Sequence, residues 1–539
     1  MNTSRTTRVR PRTGALVTSA TLVAAIAASP LASAADRDQG ERGTRTDHTH
    51  SGKSHHDSSA KLRKKVDLAG VMRTLEDLQA IADRNDGSRA SGTPGYAASR
   101  DYIVRRLERA GYDPVVQQFD FPFYRQISLA TFEQTAPTPT AYVDGTDFSL
   151  MTYSGSGDMT AAVQAVDLNL ANPAASNSGC EAADFAGFTP GRIALVQRGT
   201  CTFATKHTNA EGAGAAAVIV MNQGTPGRTE AFAGTLGAPI ATVPSLGTSF
   251  AIGQALATGA SAHVATQTES EIRPTWNVHA DSRRGDPANL VHAGAHLDSV
   301  VAGPGINDNG SGSAALLEVA EELAHTKTNN KIRFSWWGAE ELGLLGSNHY
   351  VNDLTAHDPA TLARTKLYLN FDMVGSPNYA LFVYDGDNSA FPVGPGAAPG
   401  PAGSGQIEAM FHDYFESQDL PSAETPFSGR SDYGPFIAKG IPAGGLFTGA
   451  EGVKTADQAA LFGGVAGAAY DSCYHQECDT IDNVNSHAVD VNSDAIAHAV
   501  WTFARSVESL SEPINGAVRG DGTSGGGGLH DEAHELPLS

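Results

Sequence analysis

The stretch "NLVHAGAHLDSVVAGPGINDNGSGSAALLEVAEELAHTKTNNKIRFSWWGAEE", residues 289–341, contains two kinds of local pattern. It opens with an apolar run that predicts a strand, followed by a loop of glycine, asparagine and serine. Its middle part, "GSAALLEVAEELAH", has the spacing of an amphipathic helix, and "KIRFSWWG" predicts a second buried strand. Strands separated by helices of this length predict an α/β fold with a mainly parallel, mixed sheet sandwiched by helices.

The same rhythm extends outward on both sides of this stretch. Two helical patterns and a strand, "DPVVQQFDF", occupy residues 66–123, and the strand "KLYLNFDMVG" lies in residues 274–510. Residues 124–273 break the rhythm, because they are rich in Ala, Gly and Thr, carry short β-like runs and lack a dense group of His, Asp and Glu. We therefore predict one main domain in two parts, 66–123 and 274–510, interrupted by an inserted domain over 124–273.

The two ends of the chain have a different composition. Residues 1–34 combine four arginines, a short apolar run and "ASA" before Ala35, which predicts a signal peptide and a secreted protein. A membrane anchor is the alternative, but the run is short and rich in small residues. Residues 35–65 have almost no apolar residues, so we predict a disordered pro-segment, with a His-rich metal-binding segment as the alternative. Residues 511–539 read as a Gly-rich acidic tail that is disordered or removed.

Charge and cysteine content limit the class of protein. A net charge of −22 over 539 residues argues against a nucleic-acid surface, which needs clustered Lys and Arg. The four cysteines in an exported chain suggest disulfides, with three pairings open. Proximity along the chain favours Cys180 with Cys201 and Cys473 with Cys478. A cysteine metal site is the alternative, although a second cysteine pair at zinc-finger spacing is missing.

Ionisable residues follow the predicted strands of the main domain. These are His296, Asp298, Asp308, Glu340, Glu341, Asp372 and His475. Each has a structural explanation when taken alone, for example a turn residue or an acidic first turn of a helix. Because ligands of open α/β sheets bind outside the carboxyl ends of the strands, residues far apart in sequence can meet there. Imidazole and carboxylate without thiolate suit zinc or another borderline divalent ion, so together they predict a metal site.

Seven motifs carry a resemblance to a known family. They are "AGAHLDSV", "GINDNGSGSAA", "WWGAEELGLLGS", "LNFDMVGSPN", "GRSDYGPF", "GLFTGA" and "CYHQECD". They occur in the order found in secreted bacterial double-zinc aminopeptidases, which the chain resembles over 66–123 and 275–508. This resemblance implies a zinc exopeptidase fold. Within the insert, "GRIALVQRGTCTFATKHTNAEGAGAAAVIVMNQ" resembles the protease-associated (PA) domain, which implies a small β-rich fold without catalytic residues.

The resemblance also implies a role for individual residues. It assigns His296 and Asp372 to one Zn²⁺, Glu341 and His475 to a second, Asp308 to both, Asp298 to the orientation of His296, Glu340 to general acid/base catalysis and Tyr474 to the oxyanion. It further implies that Cys473–Cys478 is the family's disulfide and that Arg430 and Phe447 line the substrate pocket. Asp490 and Asp494 match two ligands of a structural Ca²⁺, but Lys65 falls near the position of the acidic N-terminal ligand.

The predicted function is that of a secreted metallo-aminopeptidase, monomeric and without nucleic-acid or membrane partners. Its substrates are peptides or proteins with a free N-terminus and a large hydrophobic first residue such as Leu. A carboxypeptidase of the same fold is one alternative, although Arg430 alone is thin evidence for a pocket that binds a terminal carboxylate. A non-catalytic PA-domain binding protein is another. A serine hydrolase is a third, suggested only loosely by "GSGSA", which lacks the context of a nucleophile elbow.

Overall fold

The computed structural model describes residues 58–394 and 396–513. The predicted signal peptide, most of the predicted pro-segment and nearly all of the predicted tail lie outside these residues. Within them, no helix combines the length and the apolar character that crossing a membrane requires.

The described chain forms twelve α-helices and seventeen strands. The helices are α1 Ala60–Arg63, α2 Leu68–Asp83, α3 Pro94–Ala110, α4 Phe203–Gly212, α5 Phe250–Leu256, α6 Gly312–Leu323, α7 Leu345–His357, α8 Pro359–Arg364, α9 Ser404–Ser417, α10 Gly434–Ile437, α11 Ala456–Phe462 and α12 Ser486–Arg505. The strands are β1 Val115–Gln126, β2 Thr131–Ala136, β3 Thr140–Tyr142, β4 Phe148–Thr152, β5 Gly157–Ala165, β6 Ile193–Gln197, β7 Ala217–Met221, β8 Gly234–Thr235, β9 Ser245–Thr248, β10 Ser261–Thr266, β11 Thr268–Asp281, β12 Asp286–His296, β13 Asn330–Trp337, β14 Thr365–Phe371, β15 Phe382–Tyr384, β16 Ala423–Thr425 and β17 Ala443–Phe447.

The main sheet has eight strands in the order β1-β11-β13-β12-β14-β17-β15-β16. Its central strands β13, β12, β14 and β17 run parallel, whereas β1 and β11 are antiparallel at one edge. This confirms the predicted α/β class with a mainly parallel, mixed sheet.

Strand β13 shows why the sheet is covered on both faces. Side chains alternate between the faces of a strand, so Phe334 and Trp336 enter the core that contains α6 and α12. Trp337 enters the opposite core, beside Tyr350 of α7 and Phe436 of α10. The main sheet is therefore sandwiched by helices, which leaves its strand ends open to form a cleft.

Helix α3 shows how local sequence sets an element. The Thr93 hydroxyl accepts a hydrogen bond from the Tyr96 amide, Pro94 occupies the first turn, and Gly111 ends the helix with a φ of 97°.

The second sheet lies within the predicted insert of 124–273. Its nine strands have the order β3-β2-β10-β5-β6-β7-β9-β4-β8, and their cores contain only residues of the insert. A disulfide joins Cys180 and Cys201 inside it, as predicted. The insert is joined to the main sheet by the ribbon of β1 and β11, which pair from Val115↔His279 to Gln126↔Thr268.

The segment 58–65 differs from the expectation of disorder. It contains α1, which packs against α12, and Leu62 is buried in the main core. The Arg63 guanidinium lies 3.4 Å from a carboxylate oxygen of Asp494. A single apolar side chain in a polar sequence is a weak signal, so composition did not reveal that this segment docks.

Candidate metal centre

Most of the predicted site residues lie at the ends of three strands. His296 is the last residue of β12, Asp372 follows β14 directly, and Glu340 and Glu341 come shortly after β13. Asp308 lies in the buried turn that leads into α6. Because β12, β13 and β14 are parallel neighbours, their carboxyl ends open at one edge of the sheet.

The site consists of two groups that share one carboxylate. In the first, His296 Nε2 lies 3.2 Å from Asp308 Oδ1 and 3.2 Å from Asp372 Oδ1. In the second, His475 Nε2 lies 3.2 Å from Asp308 Oδ2 and 2.9 Å from Glu341 Oε2. The ligand atoms of each group lie within 4.8 Å of one another. Asp308 therefore directs one oxygen into each group.

The electrostatics of the site favour a bound cation. Burial and Asp308 raise the pKa of Glu341 to about 7, and its Oε1 is buried without a hydrogen-bond partner. Burial lowers the pKa of His475, but Asp308 and Glu341 raise it to about 10. Burial lowers the pKa of His296 as well, but Asp372 and other carboxylates raise it well above its usual value. Neighbouring carboxylates and an unpartnered acceptor are the surroundings that a divalent ion stabilises.

Glu340 faces the first group without belonging to it. Its Oε2 lies 3.9 Å from His296 Nε2. Burial raises the pKa of Glu340 well above that of an ordinary carboxylate, and Asp432 and Asp372 add to this against the opposing effect of His296. A carboxylate in these surroundings is suited to accept a proton and release it again.

Asp298 contacts His296 differently from the predicted arrangement. The nearest contact of His296 Nδ1 is the backbone oxygen of Asp298 at 3.1 Å, while Asp298 Oδ1 lies 3.8 Å away. That Oδ1 accepts a hydrogen bond from the Glu340 amide at 3.2 Å. Asp298 therefore connects the imidazole of His296 to the loop that carries Glu340.

Tyr474 and His475 lie in a short disulfide ring. The bond between Cys473 and Cys478 closes this ring, as predicted, and His475 has a φ of +57° within it. The aromatic rings of Tyr474 and His475 stack with their centroids 3.8 Å apart. Burial, followed by Asp308 and Glu341, raises the pKa of the Tyr474 hydroxyl far above its usual value, so it remains a hydrogen-bond donor.

The two predicted pocket residues differ in exposure. Phe447 ends β17, is half-buried, and its ring centroid lies 6.2 Å from that of Phe382 and 6.5 Å from that of Tyr384. Arg430 is exposed. Phe447 therefore belongs to an aromatic cluster with Phe382 and Tyr384.

The predicted calcium ligands are not gathered into a group in the described part of the chain. Asp494 pairs with Arg63, and neither Asp490 nor Asp494 belongs to a group of three potential ligands among the described residues.

Three buried residues that support the site were missed. The Ser431 hydroxyl donates to Asp372 Oδ2 at 2.6 Å, and Asp479 accepts from the Asp308 amide at 3.0 Å. Arg89 donates to the backbone oxygens of Leu297, Pro304 and Gly305, in the loop between His296 and Asp308. Ser431 and Asp479 stand in the quoted motifs "GRSDYGPF" and "CYHQECD". Arg89 carried no sequence signal, because it lies about two hundred positions from the loop that it holds.

Comparison with known proteins gives two family matches. Residues 277–500 match the model of Peptidase family M28, and residues 164–256 match the model of the PA domain. An aminopeptidase of Pseudomonas aeruginosa is 45% identical over 461 residues, covering 84% of each chain. Leucine aminopeptidase 2 of Trichophyton rubrum is 43% identical over 458 residues, covering 83% of this chain and 86% of the relative.

Solved structures share the fold. An aminopeptidase from Aneurinibacillus sp. strain AM-1 aligns with a TM-score of 0.58 and 28% identity, over 85% of this chain and 98% of its own. A zinc aminopeptidase from Bacillus subtilis aligns with a TM-score of 0.52 and 24% identity, over 82% of this chain and 96% of its own.

Proposed function

Since the chain belongs to peptidase family M28 and carries an inserted PA domain, we propose that it is a secreted zinc aminopeptidase. Its proposed substrates are peptides and proteins with a free N-terminus and a large hydrophobic first residue such as leucine. The names of the relatives support the activity and the leucine preference. The two disulfides suit an oxidising compartment outside the cytosol.

One observation carries the proposal most strongly, namely the shared carboxylate of Asp308. It joins a group with His296 and Asp372 to a group with Glu341 and His475, and each group has the donor set that zinc prefers. We assign these five residues as ligands of two zinc ions. When bound, such a pair supplies Lewis acidity that polarises the scissile carbonyl and acidifies the attacking water.

The residues around this pair carry the proton and the charge. Glu340 takes a proton from the attacking water and passes it to the nitrogen of the leaving amine, which its raised pKa favours. The Tyr474 hydroxyl donates a hydrogen bond to the oxyanion that develops on the carbonyl oxygen. Ser431 holds Asp372 in place by donating a hydrogen bond to its carboxylate. Asp298 holds Glu340 in place by accepting a hydrogen bond from its amide.

The charge and shape of the site support an exopeptidase that acts at the N-terminus. A free α-amino group is cationic, so a cleft rich in carboxylates attracts it and discriminates against a terminal carboxylate. Phe447, with Phe382 and Tyr384 behind it, forms an apolar wall that suits a leucine side chain.

The test compares Glu340→Gln with Asp308→Ala in the full chain. Glu340→Gln is expected to retain zinc and to lose at least about a thousandfold in kcat on leucine p-nitroanilide, because the side chain no longer accepts the water's proton. Asp308→Ala is expected to lose zinc as well as activity. Metal analysis and steady-state kinetics measure both. Full activity in Glu340→Gln, or cleavage of N-blocked peptides in preference to the p-nitroanilide, would exclude the proposed function.

A further inference from the structure

The loop after β13 is held by an unusual set of hydrogen bonds. Three successive backbone N–H groups donate to side-chain oxygens from three different segments. The contacts are Gly338 N to Asn277 Oδ1 at 3.1 Å, Ala339 N to Ser91 Oγ at 2.7 Å and Glu340 N to Asp298 Oδ1 at 3.2 Å. The path of the chain from the end of β13 to Glu340 is therefore held by hydrogen bonds to side chains rather than by pairing with a neighbouring strand.

The middle residue of the three has a conformation that needs support. Ala339 has a φ of +56°, in the left-handed region that favours glycine, and it is fully buried. Such a residue keeps its conformation only where the surrounding structure holds it. Phe121 and Phe123 of β1 belong to the same apolar cluster as Ala339, and the Ser91 hydroxyl accepts its amide hydrogen.

Ser91 and Asn277 are themselves anchored on the edge strands. The Thr275 hydroxyl donates to Ser91 Oγ at 3.0 Å, and Asn277 Nδ2 donates to the Gln117 side chain at 3.0 Å and to the Gly346 backbone oxygen at 2.9 Å. Thr275 and Asn277 are two positions apart on β11, so their side chains lie on the same face. The strand by which the chain returns from the insert thus reaches the loop of Glu340.

We propose that Ser91 and Asn277 are positioning residues for Glu340, acting on its backbone without contact to substrate or metal. Removing either oxygen leaves a buried N–H without an acceptor and releases the strained turn. Because catalysis is sensitive to displacements of about 1 Å, a small shift of Glu340 lowers the rate of proton transfer. The inference rests on the proposed role of Glu340 as the general base.

The test is Ser91→Ala in the full-length, zinc-loaded protein. We expect kcat on leucine p-nitroanilide to fall by about 10- to 100-fold. KM is expected to stay within about twofold, since the residue touches no substrate group, and zinc per chain is expected to remain at the wild-type value. Thr275→Val keeps the size of the side chain and removes only the donor to Ser91, so a smaller fall of about 3- to 10-fold is expected.

The matched control is Ser99→Ala, which removes another buried hydroxyl, in helix α3 shortly after Ser91. Ser99 donates to the backbone oxygen of Gly95 at 2.9 Å, within its own helix, and not to the loop of Glu340. Its kcat is expected to match that of the wild type. An equal fall in both alanine variants would mean that any buried serine matters, and would overturn the proposal.

Two further outcomes separate this inference from the proposed function. If Glu340→Gln is inactive while Ser91→Ala keeps its kcat within twofold, the positioning role is wrong and the general base stands. If Ser91→Ala loses zinc or raises KM instead of lowering kcat, its role is structural and the inference fails. Should Ser91→Ala not fold, an unchanged kcat in Thr275→Val overturns the inference and a selective fall supports it. An active Glu340→Gln variant would instead exclude the proposed function itself.

Discussion

At the residue scale, a second group of carboxylates lies where α9 meets β16. Burial, followed by Asp387 and Asp385, raises the pKa of Glu408 to about 8. Burial and the same two residues raise the pKa of Glu424 to about 7. Glu408 is only 6% exposed, so water screens its charge little. Its ionisation therefore costs free energy in the native state.

This cost gives stability a defined dependence on pH. A carboxylate with a raised native pKa stabilises the fold fully below its unfolded pKa of about 4.3 and loses this contribution as pH rises through the native value. Glu408→Gln keeps an acceptor for the Asp387 amide and cannot ionise. We expect the variant to match the wild type near pH 5 and to exceed its free energy of unfolding by about 1–2 kcal/mol near pH 9.

Urea unfolding at both pH values measures this difference, and subtracting the wild type removes the pH dependence of the metal centre. The control is Glu416→Gln, an exposed carboxylate on the same helix, which is expected to show no such growth with pH. If the difference in free energy of unfolding between Glu408→Gln and wild type stays constant from pH 5 to pH 9, ionisation of Glu408 does not destabilise the fold.

At the scale of elements, the two disulfides have different tasks. Cys180–Cys201 closes 21 positions within the insert, whereas Cys473–Cys478 closes five around Tyr474 and His475. A longer closed loop removes more conformational freedom from the unfolded chain. The expected stabilisation of the folded state is about 3 kcal/mol for Cys180–Cys201 and about 2 kcal/mol for Cys473–Cys478.

Double serine variants separate stability from activity. Replacing Cys180 and Cys201 is expected to lower the melting temperature of the insert and to leave kcat near the wild-type value. Replacing Cys473 and Cys478 is expected to lower zinc affinity and kcat at least about tenfold, because His475 then leaves its left-handed conformation more easily. Melting curves, zinc titration and kinetics distinguish the two. Equal losses of activity in both variants would contradict this division of tasks.

The elements that the sequence predicted well are those with a strong periodic pattern. Strands β12 and β13 and helix α6 occur where the opening stretch placed them, since their apolar residues repeat at the period of the element. Helix α1 was missed because Leu62 is its single buried apolar side chain. The side chains of the candidate metal centre carry a local signal at strand ends, whereas Arg89 and Ser91 donate to or accept from backbone groups far away along the chain. No local pattern reports such a contact, and the same holds for the hydrogen bond between Asp298 and the Glu340 amide.

At the scale of the whole molecule, the insert and the peptidase part have separate cores. The two apolar clusters of the insert share no residue with the clusters around the main sheet. The ribbon of β1 and β11 connects the parts in continuous register. This arrangement predicts that the insert is dispensable for folding of the peptidase part and for cleavage of small substrates.

Replacing residues 128–266 by Asn-Gly tests that prediction. The Ile127 amide donates to the Gln267 backbone oxygen at 2.8 Å, so these residues can flank a two-residue turn, and Asn-Gly suits the type I′ geometry of such hairpins. Since Thr275 and Asn277 remain on β11, the support of Glu340 is preserved. We expect the shortened protein to bind zinc and to cleave leucine p-nitroanilide with kcat within about threefold of wild type.

The control joins Gln126 to Gln267 through the same two residues. This shifts the register of β1 against β11 by one residue and turns Phe121 and Phe123 away from Ala339, so the control is expected to lose activity. A shortened protein in correct register that neither folds nor binds zinc would show that the insert is part of the peptidase fold.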